Sequence, residues 1–242
     1  MFVLYHGWKS SASRRVRLCL AEKGLKYESH IIDLAKGEHH SPEYLARNPN
    51  GVIPLLVLPD GRSLYESSTI NEYLDETWPE PPLRPADPYL RAEMRNWVRY
   101  VDERIGNLIV FNWKHGIAQV AAKLSDAELA ERIRKIPSKE RQEAWMRAAR
   151  RPYTPEEEDE ARRKLVLMLD RMEASLQSGD WLVGNRYSLA DIGIVPFVKR
   201  IDEEIAPDEV SEKKHPRVLA WWQAVQARPA FAEARIRPFG EP

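Results

Sequence analysis

Three serines near the start of the chain could carry chemistry. Ser10, Ser11 and Ser13 lie between a strand-like segment at 2–5 and a helix pattern that opens with Arg-Arg-Val-Arg at 14–17. A hydroxyl at a helix N-terminus can donate a hydrogen bond to an anion, and the helix itself favours negative charge there. The sequence places no histidine–carboxylate pair beside these serines, so we expect a hydrogen-bond donor and not a nucleophile with a general base. On these residues alone, helix capping is the alternative interpretation.

A second group of candidate residues lies in the segment 48–73. Pro54 interrupts the backbone after a turn, and the Pro-Asp-Gly sequence at 59–61 predicts a hairpin. Glu66 and Ser67 then begin a helix whose first amides are open to a ligand. The segment therefore brings two features that favour anions close together, an interrupted backbone and a helix N-terminus.

The order Val-Ile-Pro, hairpin, Glu-Ser resembles the glutathione-binding half of the glutathione transferase family, and the resemblance covers essentially the whole chain. It implies that the bond between Ile53 and Pro54 is cis and that the backbone of Ile53 pairs with the cysteine of glutathione. It also implies that Glu66 and Ser67 hold the γ-glutamyl end. His40 would contact the glycine carboxylate, and a surface histidine is the alternative.

The serine turn resembles the serine-type members of the same family. By position Ser10 matches the serine that activates the thiol of glutathione, and Ser11 and Ser13 are near enough to compete for this role. Lowering a thiol pKa of about 8.5 by about two units requires about 2.7 kcal/mol. A hydroxyl donor contributes about 1.5–3 kcal/mol and a helix N-terminus about 0.3–1 kcal/mol, so the two together suffice. A dithiol redox protein would instead carry Cys-x-x-Cys at this turn.

The composition disfavours several classes of function. The 242 residues carry 37 basic and 37 acidic side chains, and a net charge of zero gives no reason to expect nucleic acid or an anionic membrane as a partner. No segment approaches the roughly 20 apolar residues that span a bilayer, and the N-terminus does not read as a signal peptide, so we expect a cytoplasmic protein. The single Cys19 cannot form an intramolecular disulfide, and the six histidines lack the spacing of ligands, so we expect no metal.

Strand and helix patterns divide the chain into two parts. Up to about residue 80 they follow the order β-α-β-α-β-β-α, which predicts an α/β thioredoxin-like domain that would bind glutathione at 1–80. Prolines at 79–82 predict a linker. The strand signal then disappears, which predicts an all-α helical domain at 86–242 for the second substrate and for dimerisation. Within it, Ser188 and Asp191 predict a capping box with a role in folding.

A long amphipathic pattern predicts a single helix at 91–117. One stripe of this helix would point to where the first domain should lie and, with an aromatic residue on the loop before the serines, could wall the pocket for the second substrate. Packing in the core is an equally good interpretation of such a stripe. The candidate substrate-binding residues are Trp8, Arg104, Leu108, Phe111 and His115.

An inserted segment at 124–155 combines a short helix pattern, Pro137 and a basic stretch around Trp145. Solvated surface is one interpretation of its charges, and a lid over the crevice between the domains is the other. The insertion and the run at 83–95 resemble the bacterial β-etherases, family members that cleave lignin-derived aryl ethers next to a ketone. The resemblance implies glutathione as co-substrate, a hydrophobic aromatic electrophile as acceptor, and a homodimer.

Two other functions fit the same sequence. A general detoxifying glutathione transferase or peroxidase would accept many electrophiles. A non-enzymatic binding protein built on the same fold would use the site without turnover. Conjugation of a chromogenic aryl halide separates the binding protein from the enzymes, and release of a phenol from a β-aryl ether ketone separates the β-etherase from the general transferase.

Overall fold

The N-terminal part of the chain forms a four-stranded mixed sheet. The computed structural model describes residues 1–112 and 118–236. The sheet has the order β2-β1-β3-β4, with β1 parallel to β2 and the other pairs antiparallel. The strands are β1 Phe2–His6, β2 Tyr27–Ile31, β3 Leu55–Val57 and β4 Ser63–Tyr65.

Three helices complete this part, and they confirm the predicted order of elements. They are α1 Ser11–Glu22, α2 Pro42–Leu45 and α3 Ser67–Thr77. Helices α1 and α3 pack together, and fully buried Leu18 and Ile70 join Leu4 and Leu56 of the sheet in one hydrophobic core. Because Leu4 and Leu56 are partners across β1 and β3, this register directs both side chains to the same face.

The remaining described residues contain only helices and turns. The helices are α4 Pro88–Asp102, α5 Ile105–Asn112, α6 Ala118–Ala121, α7 Asp126–Arg134, α8 Lys139–Arg150, α9 Pro155–Ser175, α10 Leu189–Arg200, α11 Pro216–Gln226 and α12 Pro229–Glu233. Buried residues of α10 pack in the same hydrophobic cluster as buried residues of the sheet, so the two parts share one core. In the part of the chain that the structure describes, no helix is long and apolar enough to cross a bilayer.

The prediction of one helix over 91–117 is wrong. Helix α4 ends at Asp102 and α5 begins at Ile105, with a turn at Glu103 and Arg104. In this turn the amide of Arg104 donates to the carbonyl of Val101 at 3.0 Å, a tighter pattern than the α-helical one. Apolar spacing continues through the turn, which explains why the sequence pattern did not reveal it. Residues 113–117 of the predicted helix lie outside the described residues.

The segment predicted as an insertion folds into two helices with a core of their own. Ser125 and Glu128 form a capping box that begins α7, and Ser138 caps α8. A separate cluster of buried residues holds the pair together, namely Ala121, Leu129, Ile136, Trp145 and Ala148. Residues 126–150, which contain α7 and α8, are called the roof below because of their position over a cavity.

Candidate active site

A cavity of about 350 Å³ lies between the two parts of the chain. Its N-terminal walls come from the start of α1, the turn before β3 and the start of α3. Its C-terminal walls come from the end of α4, from α5 and from the roof. The polar lining residues are Ser10, Ser11, His39, His40, Glu66, Ser67, Ser68, Asp102 and Arg141, and the apolar ones are Ala12, Leu34, Val52, Ile53, Pro54, Ile105, Leu108, Ile109, Ile136, Ala144 and Trp145.

The serine turn places two hydroxyls in the cavity and a third behind it. Ser10 is the N-cap of α1, and its Oγ accepts a hydrogen bond from the Ser13 amide at 3.2 Å. The Oγ of Ser11 is buried and has no hydrogen-bond partner among the described residues. Ser13 is fully buried outside the cavity lining, and its Oγ accepts from the Gly7 amide at 3.3 Å. Ser13 therefore supports the turn, while Ser10 and Ser11 can reach a ligand.

The turn before β3 presents an open peptide group to the cavity. The bond between Ile53 and Pro54 is cis, and both residues line the wall. The Tyr44 hydroxyl and the Asn48 side-chain amide both donate to the Val52 carbonyl, at 2.5 and 2.7 Å, which fixes this turn. Among the described residues, neither the N–H nor the C=O of Ile53 has a hydrogen-bond partner. A ligand with an amide and a carbonyl of its own can satisfy both groups.

The start of α3 is a second open backbone. No side chain caps this helix, and its N-cap Glu66 has a left-handed backbone with φ of 68°. Such a conformation is unfavourable for a residue with a Cβ and is found preferentially at functional sites. The Asn50 side-chain amide donates to the Glu66 carboxylate at 3.1 Å and holds it. The arrangement offers a carboxylate for a cation and, beside it at Ser67, helical amides for an anion.

A buried arginine connects this wall to the C-terminal part. The Arg15 guanidinium donates to the Gly193 carbonyl at 2.8 Å and forms an ion pair with Asp102. It also lies 3.4 Å from the Oγ of Ser67, while the hydroxyl of Ser68 donates to Asp102 at 2.6 Å. Because Arg15 is in α1 and Asp102 ends α4, these bonds fix the first turn of α3 relative to both parts.

Two histidines on the opposite wall are held neutral. Burial, together with the nearby charges of Arg132 and Arg141, lowers the pKa of His40 to about 4. Burial, the neighbouring His40 and the same two arginines lower the pKa of His39 to about 3. Gly51, with φ of 57°, allows a close approach here, since a Cβ would lie 3.0 Å from the ring of His40. At neutral pH His40 can therefore offer a hydrogen bond but not a positive charge. In the described part of the chain, no three His, Cys, Asp or Glu side chains cluster as metal ligands would.

The roof closes the apolar side of the cavity and is attached to the N-terminal part. Arg132 of α7 donates to the carbonyls of Leu34 and Ala35, which follow β2, and its guanidinium lies 4.2 Å from the ring centre of Trp145. Trp145 is 4% exposed. Its ring therefore forms a fixed wall, because a cation and the surrounding roof core hold it in place.

Comparison with known proteins follows the same division of the chain. The profile of the glutathione S-transferase N-terminal domain matches residues 9–77, and that of the C-terminal domain matches 138–229. Protein LigF of a Sphingobium species is 38% identical over 236 residues, which cover 95% of this chain and 91% of LigF. The chain belongs to the glutathione S-transferase family.

Solved and curated members of the family give the same picture. The crystal structure of the β-etherase LigF superposes with a TM-score of 0.87 at 37% identity, covering 96% of this chain and 98% of that one. A maleylacetoacetate isomerase of Rhizobium meliloti is 34% identical over 210 residues, 84% of each chain. A Burkholderia graminis glutathione transferase, solved with two glutathione molecules bound per subunit, superposes with a TM-score of 0.70 at 26% identity, covering 98% of this chain and 88% of that one.

The transferase cavity brings together most of the residues predicted for glutathione. His40, Ile53, Pro54, Glu66 and Ser67 all line it. These residues are separated by up to 27 positions in the sequence, so the sequence alone did not show that they lie close together. The turns described above bring them to one wall. Their contacts with glutathione remain predictions.

The residues predicted for the second substrate are more scattered. Of the described members of this group, Leu108 alone lines the cavity. The Arg17 guanidinium lies 4.8 Å from a ring of Trp8, while Arg104 lies over Tyr100 and donates to its carbonyl. Phe111 is 4% exposed in the core, which is the alternative considered for this stripe. Arg104 lies in the turn that separates α4 from α5 and is not part of the cavity lining. His115 lies outside the described residues.

Sequence reasoning singled out Trp145 but missed the helical stripe of the roof to which it belongs. Arg141, Ala144 and Trp145 all line the cavity from α8. Their spacing of three and four residues places them on one helical face, so the signal was present. It was hidden because the surrounding charges favour a basic surface as much as a helix.

Proposed function

We propose that this glutathione transferase cleaves aryl ethers at a carbon next to a ketone, with glutathione as the nucleophile. One observation carries the proposal. The cavity joins a wall built to stabilise an anion, at the start of α1, to a closed apolar wall that ends in Trp145. The similarity to the β-etherase LigF, which extends over 95% of the chain, supports an ether as the acceptor.

Glutathione fits the polar wall group by group. The unpaired N–H and C=O of Ile53 match the backbone of its cysteine, as two hydrogen bonds between extended chains. The carboxylate of Glu66 matches the γ-glutamyl ammonium, and the amides at Ser67 match the carboxylate beside it. The thiol would then lie at the turn that carries Ser10 and Ser11.

Ser10 is our first choice as the donor to the thiolate. Its oxygen already accepts from the Ser13 amide, so its own proton is left for the ligand. Ser11 competes, because its buried oxygen has no partner in the described structure and an anion would satisfy it. The N-terminus of α1 adds a favourable potential for whichever serine donates.

The reaction then needs mainly orientation. The bound thiol loses its proton to solvent, and the sulfur attacks the carbon that bears the aryl ether. A C–S bond forms as the C–O bond breaks, and the electron pair leaves with the phenolate oxygen, which takes a proton from water. The neighbouring ketone lowers the barrier at this carbon, so holding the two reactants in line accounts for much of the rate. The products are a thioether and a phenol.

Turnover of a β-aryl ether ketone tests the proposal. The protein is incubated with glutathione and the ketone, and the phenol and the thioether are quantified together, with an aryl halide as a second acceptor. We expect both products in equal amounts. Conjugation of the halide without phenol from several such ketones would identify a general transferase, and no turnover of either acceptor would identify a binding protein.

We also propose that the transferase is a homodimer. Each chain would comprise a glutathione-binding domain at 1–80 and a helical domain at 86–242. Sedimentation should give about twice the chain mass of 28.1 kDa. A monomer at micromolar concentration would reject this part of the proposal without affecting the chemistry of the cavity.

A further inference from the structure

The roof contributes a charged side chain to the cavity as well as an apolar one. Arg141 lies one helical turn before Trp145 on α8, and both line the cavity, on the same face of the helix. The roof is attached to the N-terminal part by Arg132, so this face is held over the polar wall. A ligand that contacts Glu66 and His40 would therefore also lie near Arg141.

The charges in the cavity leave Arg141 without a partner. Asp102 is paired with Arg15, and the two histidines are neutral. Glu66 is the remaining acid of the lining, and Arg141 is the only arginine or lysine among the described residues that line the cavity. Within the described structure its guanidinium forms no hydrogen bond and no ion pair, since only its backbone amide is bonded.

Glutathione carries more negative charge than the rest of the cavity can match. It has two carboxylates, one ammonium and, when activated, a thiolate. Glu66 matches the ammonium, and the N-terminus of α3 has a partial charge for one carboxylate. Without Arg141 the lining would have a net negative charge facing a ligand of the same sign, which is unfavourable in a partly closed site.

The position of Arg141 agrees with this role. Arg141 lines the cavity together with His39, His40 and Glu66. Its charge contributes to the lowered pKa values of the two histidines, while burial lowers the pKa of Arg141 itself and the charge of Glu66 opposes that effect. An arginine so placed faces a ligand that extends along the wall between these residues. A guanidinium also suits a carboxylate, since its fork of donors can bind both oxygens.

We propose that Arg141 of the roof binds a carboxylate of glutathione. The roof is then part of the co-substrate site as well as a wall for the acceptor. This inference rests on the proposed use of glutathione, and the test below distinguishes the carboxylate of the glycine from that of the γ-glutamyl group. Because the roof is tied to the loop after β2, binding of glutathione would also stabilise the closed position of the roof.

Calorimetry on the full chain with three ligands tests the inference. The ligands are glutathione, its glycine carboxamide and its γ-glutamyl α-carboxamide. Arg141→Met should bind glutathione at least about tenfold more weakly than the wild type, and Arg141→Lys should recover part of this loss. Lys139→Met is the matched control, because Lys139 is an exposed cation of α8 like Arg141 but does not line the cavity, so its loss should change the affinity by less than about twofold.

The two carboxamides identify the carboxylate. The wild type should bind one of them about as weakly as Arg141→Met binds glutathione, and Arg141→Met should lose nothing further on that ligand. Unchanged affinity of a folded Arg141→Met for glutathione, or an equal loss on all three ligands, would overturn the inference and leave the proposed function standing. No binding of glutathione to the wild type at millimolar concentration would overturn both.

Discussion

At the scale of single residues, the two serines in the cavity have different freedom. Ser10 already satisfies the Ser13 amide, so its orientation is fixed and its proton can point to the ligand. The Ser11 oxygen has no such restraint in the described structure. The spacing of the serines left all three as candidates. The structure removes Ser13, because this residue is fully buried outside the cavity lining and its oxygen accepts from the Gly7 amide.

We predict that Ser10→Ala slows turnover at neutral pH far more than at pH 9. Losing a donor to an anion costs about 1.5–3 kcal/mol, which raises the thiol pKa of bound glutathione by roughly one to two units. From a bound pKa of about 6.5, the thiolate fraction at pH 7 then falls about three- to twenty-five-fold, and it recovers as the pH rises through the new pKa. The pH–rate profile is the measurement. If Ser11→Ala shifts the profile and Ser10→Ala does not, the buried hydroxyl is the donor.

Glu66 combines a charge for the ligand with an unfavourable backbone. We predict that Glu66→Ala and Glu66→Gly weaken glutathione binding alike, by about tenfold or more, because both remove the partner of the ammonium. The glycine variant should be the more stable of the two by up to about 1 kcal/mol, since glycine adopts a φ of 68° without strain. Calorimetry and thermal unfolding measure the two effects separately. Equal stability of the two variants would show that the backbone at this position is not strained.

At the scale of elements, the sequence predicted most starts of helices and strands because local signals set them. Prolines, capping serines and β-branched runs act within a few residues, and α7, α9 and α10 each begin at a capping box. The break between α4 and α5 has no such signal, since apolar spacing continues through Arg104. The roof was left open between a lid and solvated surface for a different reason. Its core forms between residues from α6 to α8, and such pairing is not visible in local spacing.

The predicted capping box of α10 is present, and its further contacts change the size of the effect that we expect on stability. Ser188 and Asp191 make both bonds of the box, but Asp191 also accepts from the Leu182 amide at 3.1 Å and from the indole of Trp221 at 2.8 Å. Burial nevertheless raises the pKa of Asp191 to about 6. The carboxylate therefore organises three segments, not one helix end.

We predict that Ser188→Ala costs about 0.5–2 kcal/mol of stability and Asp191→Ala clearly more, about 3 kcal/mol or above. The larger cost follows because Asp191→Ala leaves several buried donors without an acceptor. Chemical denaturation gives both values, and activity per folded molecule should be unchanged in each variant. Equal losses for the two would mean that the bonds from Leu182 and Trp221 add nothing to the cap.

At the scale of the whole molecule, the site exists only where the two parts meet. The polar wall comes from the α/β part and the apolar wall from the helical part, so neither contains a complete site. The pattern of the sequence predicted both parts, but it could not predict their contact. That contact depends on Arg15, whose partner Asp102 lies 87 residues away and whose partner Gly193 lies 178 residues away. An arginine in a helix pattern otherwise looks like a solvated residue.

The last prediction follows from this bridge. Arg15→Met should destabilise the protein by about 2–4 kcal/mol, because it removes the donor to the Gly193 carbonyl and the cation that pairs with Asp102. The full cost of a broken buried pair is not expected, since the Asp102 side chain is 38% exposed and water can reach it. Arg99→Met is the control, because Arg99 and its partner Glu103 are 83% and 58% exposed and their pair should be worth less than about 1 kcal/mol.

Thermal and denaturant unfolding of both variants, with and without glutathione, gives the decisive comparison. Arg15 also orients Ser67 and, through Asp102, Ser68, so its loss should weaken glutathione binding even in the fraction that remains folded. The Arg99 variant should match the wild type in both measurements. If Arg15→Met unfolds like Arg99→Met, the ion pair is not what holds the two walls together. The alignment of the cavity would then depend on the shared hydrophobic core between α10 and the sheet and on the bonds from Arg132 to the loop after β2.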